Sequence, residues 1–186
     1  MSCDLLPTDA PGPHYCGDVR DVLGRGWDLM IAHPPCTYLA VSGIHWNARR
    51  PERAALTDAA ADFVRLLMDA PIPRVAIENP VGVLSTRIRP PDQIIQPWQF
   101  GHPESKATCL WLRGLPALRP TNILPPPMGG RWENQTASGQ NRLPPSPDRW
   151  KIRSTTYAGI AAAMAAQWSA PTPSPQPPAQ GQLFQR

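Results

Sequence analysis

The strongest constraint on this chain is that two short apolar runs are each stopped by proline, with an amphipathic stretch between them. Residues 27–32, Trp27-Asp28-Leu29-Met30-Ile31-Ala32, are rich in strand formers and halt at His33-Pro34-Pro35, where two residues lacking an N–H end any ladder. The second run, Val75-Ala76-Ile77, stops at Glu78-Asn79-Pro80. In residues 52–70 the period changes: Leu56, Ala60, Phe63 and Leu67 recur at helical intervals with Arg53, Asp58 and Asp62 between them, and Pro51 suits the first turn. Strand, helix, strand in that order predicts a right-handed crossover in a parallel sheet. It places Cys36 and Glu78 just beyond the carboxyl ends of two strands, the edge where open α/β sheets bind ligands.

The remainder completes one α/β domain. Residues 109–112 read as a further strand, and residues 157–168 as a closing helix with Ile160, Met164 and Trp168 on one stripe. Many of the 26 prolines fall in two stretches. One is a connection across residues 116–150 with little periodicity, and the other is the segment 170–186, whose apolar content is too low to fold and which is expected to be disordered. A length of 186 residues suits a single domain, here residues 1–169.

Four cysteines, Cys3, Cys16, Cys36 and Cys109, show neither paired spacing nor an adjoining histidine ladder, so no metal site and no disulfide framework is expected. A reduced, cytoplasmic setting follows. The opening residues lack the basic and apolar regions of a secretory signal, and no apolar run approaches the ~18 residues of a membrane span. The net charge of +4 permits a polyanionic partner without requiring one.

A thiol and a carboxyl at neighbouring strand ends suit one demanding reaction. Carbon 5 of cytosine is a poor nucleophile until a thiolate adds at carbon 6, and the charge that then builds toward ring nitrogen 3 is neutralised by a carboxylic acid. The run from Asp28 through His33-Pro34-Pro35-Cys36-Thr37 resembles the Pro-Cys nucleophile loop of DNA cytosine-5 methyltransferases, and Ile77-Glu78-Asn79-Pro80 resembles their Glu-Asn motif. Phe100-Gly101-His102-Pro103-Glu104-Ser105-Lys106 is similar to the family's Gly-x-Pro-Gln-x-Arg strand entry.

The resemblance implies a Rossmann-like, mostly parallel sheet with helices on both faces, S-adenosylmethionine as cofactor and DNA as partner. It gives catalytic roles to Cys36, Glu78 and Lys106. Asp4 and Asp18, with Pro34 and Pro35, fall to the cofactor; Asp18 lies in Gly17-Asp18-Val19, which is similar to the acidic loop that touches its adenine. Ser42, Asn79, Pro80 and Arg142 fall to the substrate. Residues 154–166 resemble the helix that completes the cofactor pocket.

The sequence departs from the family in three respects. The family's first strand and glycine-rich turn have no counterpart before Asp4, so the first strand of the sheet is expected to be missing. Residues 116–150 stand in place of a recognition domain, with Arg131, Trp132, Arg142, Arg149, Trp150, Lys151 and Arg153 available to phosphates and bases. Glu104 and Lys106 replace glutamine and arginine, and a lysine offers a point charge instead of a planar fork.

The alternative expectation is a truncated, catalytically silent relative that binds DNA or a protein. His33 and His45 read as loop residues, since nothing in the sequence pairs them with a third group. Trp98, Trp111 and Trp168 read as core, and Trp46 beside Arg49 and Arg50 as a stacking platform.

Overall fold

The computed structural model describes residues 1–138 and 141–169, apart from the side chain of Trp150. The stretch 170–186, expected to be disordered, lies outside the described residues, as does the Trp150 side chain. Among the described residues six strands form two sheets. β1 (Ser2–Asp4) and β2 (His14–Cys16) are a parallel pair, while β3 (Leu29–Ala32), β4 (Arg74–Pro80), β5 (Gln93–Ile95) and β6 (Thr108–Arg113) form a sheet in the order β3-β4-β6-β5. Among the described residues five α-helices accompany them: α1 (Val41–Ile44), α2 (Pro51–Met68), α3 (Leu84–Arg87), α4 (Arg149–Ser154) and α5 (Ala158–Trp168). None among the described residues is long and apolar enough to cross a membrane.

The strand–helix–strand unit forms as the spacing predicts, with β3 parallel to β4. The sheet as a whole is nevertheless mixed, because β6 runs antiparallel to both β4 and β5. The expectation of a mostly parallel sheet therefore needs correcting on that side. A second correction concerns β4, which does not end at Ile77: Glu78, Asn79 and Pro80 continue the ladder opposite Leu110, Cys109 and Thr108. Pro80 is tolerated because pairing with β3 ends at Ile77, which leaves one side of the end of β4 as an edge.

Two apolar layers cover the four-stranded sheet, because alternate side chains of a strand point to opposite faces. Val75 and Ile77 of β4 with Cys109 and Trp111 of β6 join Ala61, Val64 and Leu67 of α2. Ala76 and Leu110 point the other way and join Ile160, Met164 and Trp168 of α5 with Ile95 and Phe100. Burial of each large apolar side chain contributes about 1.5–3 kcal/mol. The α5 stripe is the expected one.

The α2 stripe is rotated by about one residue from the expected one: Thr57, Ala61, Val64 and Leu67 face inward, whereas Leu56 is 44% exposed. Thr57 takes the interior position because its hydroxyl is satisfied there, donating to the Tyr38 carbonyl at 3.0 Å and accepting from Asn47 Nδ2 at 2.9 Å. Beyond the helix, the Arg113 guanidinium donates to the carbonyls of Met68, Ala70 and Ile72. Those bonds satisfy acceptors at the C-terminal end of α2 and fix the turn into β4.

β3 lies at the edge of its sheet, and its outer side faces β1 across a slot of about 760 Å³. That slot and the carboxyl ends of β3 and β4 are the places where chemistry-bearing residues collect.

Candidate active site

Register brings the nucleophile loop and the acid together. Ala32 is paired with Ile77, so the next residues, His33 and Glu78, come level, and His33 Nδ1 lies 2.9 Å from Glu78 Oε2. One residue further, Asn79 Nδ2 donates to the Pro34 carbonyl at 2.9 Å. The loop is tied down again beyond Cys36. Arg53 donates to the Thr37 carbonyl, Thr57 to that of Tyr38, and the Val83 amide to that of Leu39. A Cβ on Gly82 would run into the Leu39 carbonyl, so only glycine lets the segment after β4 lie this close. Cys36 itself is an exposed free thiol on this braced loop, and its carbonyl accepts from the Leu39 and Ala40 amides.

A small cavity of about 20 Å³, room for roughly one water, opens beside the acid and is lined by His33, Glu78, Lys106 and residues of the α4–α5 turn. Lys106 thus lines the same cavity as Glu78. Its ammonium also donates to the Arg153 carbonyl at 2.9 Å and lies 5.6 Å from the Tyr157 ring centroid. Glu104 accepts from the Tyr157 hydroxyl and from Asn134 Nδ2. Burial, and then the bond to the Glu104 carboxylate and its charge, push the Tyr157 phenol well above its ordinary range. Tyr157 therefore stays a hydrogen-bond donor and clamps the loop that carries Lys106.

The larger slot collects the four residues assigned to the cofactor. Asp4, Asp18, Pro34 and Pro35 all line it, together with the apolar Trp27, Met30, Phe63 and Ile72. Asp18 accepts from the Arg20 amide and pairs with its guanidinium at 2.8 Å. The backbone bond, with the Arg20 charge behind it, holds the Asp18 carboxyl below its ordinary value, so it is an anion and an acceptor at neutral pH. His33 lines both cavities and is the side chain that joins them.

Not every assigned residue arrives. Asn79 is only 1% exposed, so its amide braces the Pro34 loop and is unavailable to a substrate. The continuation of β4 is what turns Asn79 inward. Ser42 on α1 is exposed, Pro80 is half-buried, and Arg142 is exposed with Nη1 on the Glu133 carbonyl; none of the three lines either cavity. Cys36 also lines neither. Trp46 is 41% exposed and has Arg49 and Arg50 over its ring.

Nothing in the sequence marks His33, whose partner is forty-five residues away and is revealed only by strand register. Tyr157 is unmarked too, since the spacing reads it as part of a closing helix. Among the described residues, no group of three His, Cys, Asp or Glu side chains is placed to hold a metal ion. No family model matches the chain, and neither a curated protein nor a solved structure matches it.

Proposed function

We propose that this chain is a DNA cytosine-5 methyltransferase, with Cys36 as nucleophile and Glu78 as the acid that engages ring nitrogen 3. The observation that carries the reading is the double tie between the two motifs. His33 and Pro34, which lead into Cys36, are bonded to Glu78 and Asn79, so the loop that carries the thiol is tied to the strand that carries the carboxyl. On this reading β1–β2 and the four-stranded sheet are parts of one Rossmann-like arrangement.

The slot suits S-adenosylmethionine on its own chemistry. Its volume lies in the ~300–1,000 Å³ range of small-molecule sites. Carboxylates at Asp4 and Asp18 would accept from sugar hydroxyls or an adenine amine, and the Trp27, Met30 and Phe63 walls would take the flat base. When bound there, the cofactor supplies an electrophilic methyl group. The protein's residues do the remaining work: a cytosine turned out of the duplex is reached by Cys36, its pairing edge meets Glu78, and Lys106 offers positive charge beside that edge.

The test is covalent trapping on duplex DNA containing 5-fluorocytosine in the presence of S-adenosylmethionine, read by denaturing gel and mass spectrometry. Wild-type protein should yield an adduct mapped to Cys36, and Cys36→Ser should yield none. Wild type without an adduct removes the reading.

A second reading, a non-catalytic relative that binds DNA, draws on the exposed Trp46 platform with its two arginines. Calorimetry with S-adenosylmethionine separates the two, since only the enzyme needs a site for it.

A further inference from the structure

We propose that His33 is a positioning residue that acts through Glu78, resting on the cytosine reading above: its Nδ1–H holds one carboxyl oxygen and stabilises the carboxylate that forms when Glu78 gives its proton to the base. The ring stands on the first residue after β3, with Nδ1 at 2.9 Å from Glu78 Oε2. Lys106 is the basic side chain other than His33 that lines the same cavity, and Tyr157 is its other titratable neighbour. Neither has a hydrogen bond to the carboxyl: Lys106 donates to Arg153 and Tyr157 to Glu104. Among the described residues His33 is thus the hydrogen-bond partner of the Glu78 side chain, and holding Oε2 leaves Oε1 as the oxygen for a base.

The chemistry gives this contact a direction. As the Cys36 thiolate adds, the sulfur–carbon 6 bond forms, the ring π pair shifts toward nitrogen 3, and the proton on Glu78 Oε1 moves to that nitrogen. Glu78 passes from neutral acid to anion in that step. A neutral Nδ1–H donating to Oε2 makes an ordinary bond before it and a charge-assisted bond, roughly twice as strong, after it. An interaction that strengthens as charge develops speeds the chemical step and leaves binding largely unchanged. After methyl transfer the carbon 5 proton leaves to solvent, the sulfur–carbon 6 bond breaks with its electron pair returning to sulfur, and the nitrogen 3 proton returns to Glu78. His33 ends the cycle as it began.

This role fixes the tautomer, since the nitrogen that carries the proton is set by its hydrogen bond. In 15N spectra of the full chain, the His33 ring should be in the Nδ1–H form, and Glu78→Ala should abolish that preference. In single-turnover trapping on 5-fluorocytosine DNA, His33→Ala should slow adduct formation by about threefold to tenfold, the difference between an ordinary hydrogen bond and a charge-assisted one. Half-saturation by DNA should hardly move. His33→Asn, which keeps an N–H near the position of Nδ1, should recover most of the rate.

A His33→Ala protein as fast as wild type overturns the proposal. So does equal slowing in His33→Ala and His33→Asn, or a wild-type ring found without a proton on Nδ1. If wild type forms no adduct while the Nδ1–H form is present, the cytosine reading has failed although the pair is real, and the role assigned to His33 goes with it.

Discussion

Asn79 combines two roles that pull in opposite directions. It sits next to the proposed acid, yet it is buried, with Nδ2 on the Pro34 carbonyl and Oδ1 without a hydrogen-bond partner among the described residues. An unsatisfied buried amide oxygen costs stability, so the contact it accompanies must be worth keeping. Removing the side chain leaves the Pro34 carbonyl unpaired in the interior, and Asn79→Ala should lose about 1–3 kcal/mol in urea unfolding. It should also slow trapping on 5-fluorocytosine DNA while Glu78 stays in place, because the loop before Cys36 loses its tie. Asn79→Asp, which puts an anion in the same interior position, should be worse on both counts. An Asn79→Ala protein as stable and as fast as wild type would show that the Pro34 loop is held without it.

At the level of elements, Asp92 ties the edge strand β5 to β6. Partial burial pushes its carboxyl up, but the Arg89 guanidinium, the Leu112 amide at 2.6 Å and the Arg89 charge outweigh that and leave it below its ordinary value. A carboxyl depressed in the folded state adds stability above its unfolded value, about 3.9, and loses it as pH falls through the folded value. The group is substantially exposed, so the charge is worth about 0.5 kcal/mol after screening. Asp92→Asn should therefore be slightly less stable than wild type at pH 7 in urea melts, with the gap closing as the pH drops below 4; a gap that widens in acid contradicts the assignment.

The same element scale shows what the sequence made legible. The β3–α2–β4 unit and the α5 stripe were readable because their periods of two and 3.6 are carried by apolar residues. The antiparallel entry of β6 was not, since an apolar run carries no direction. The rotated face of α2 was hidden because its key residue is polar: Thr57 looks like a surface position until Tyr38 and Asn47 supply its partners. In the site, Cys36, Glu78 and Lys106 were visible as motifs, whereas the His33–Glu78 pair depends on a register that only the folded sheet defines.

For the molecule as a whole, the decisive feature is the slot between the two sheets. Residues of the edge strand β3 and of β1 line it, Asp4 and Asp18 among the lining residues. A ligand that fills it touches both sheets at once, so binding should be felt as stability of the entire fold. One site at a ligand concentration of a hundred dissociation constants stabilises by about 2.7 kcal/mol. For a domain of this size that corresponds to a rise of about 5–10 °C in melting temperature. S-adenosylmethionine should produce such a rise in scanning fluorimetry, and Cys36→Ser, whose residue lines neither cavity, should preserve it. Met30→Arg, which places a long charged side chain in the slot, should abolish it. The two variants divide the question: a shift that survives Met30→Arg puts the cofactor elsewhere, and no shift in wild type at saturating cofactor leaves the slot without the role that joins the two sheets.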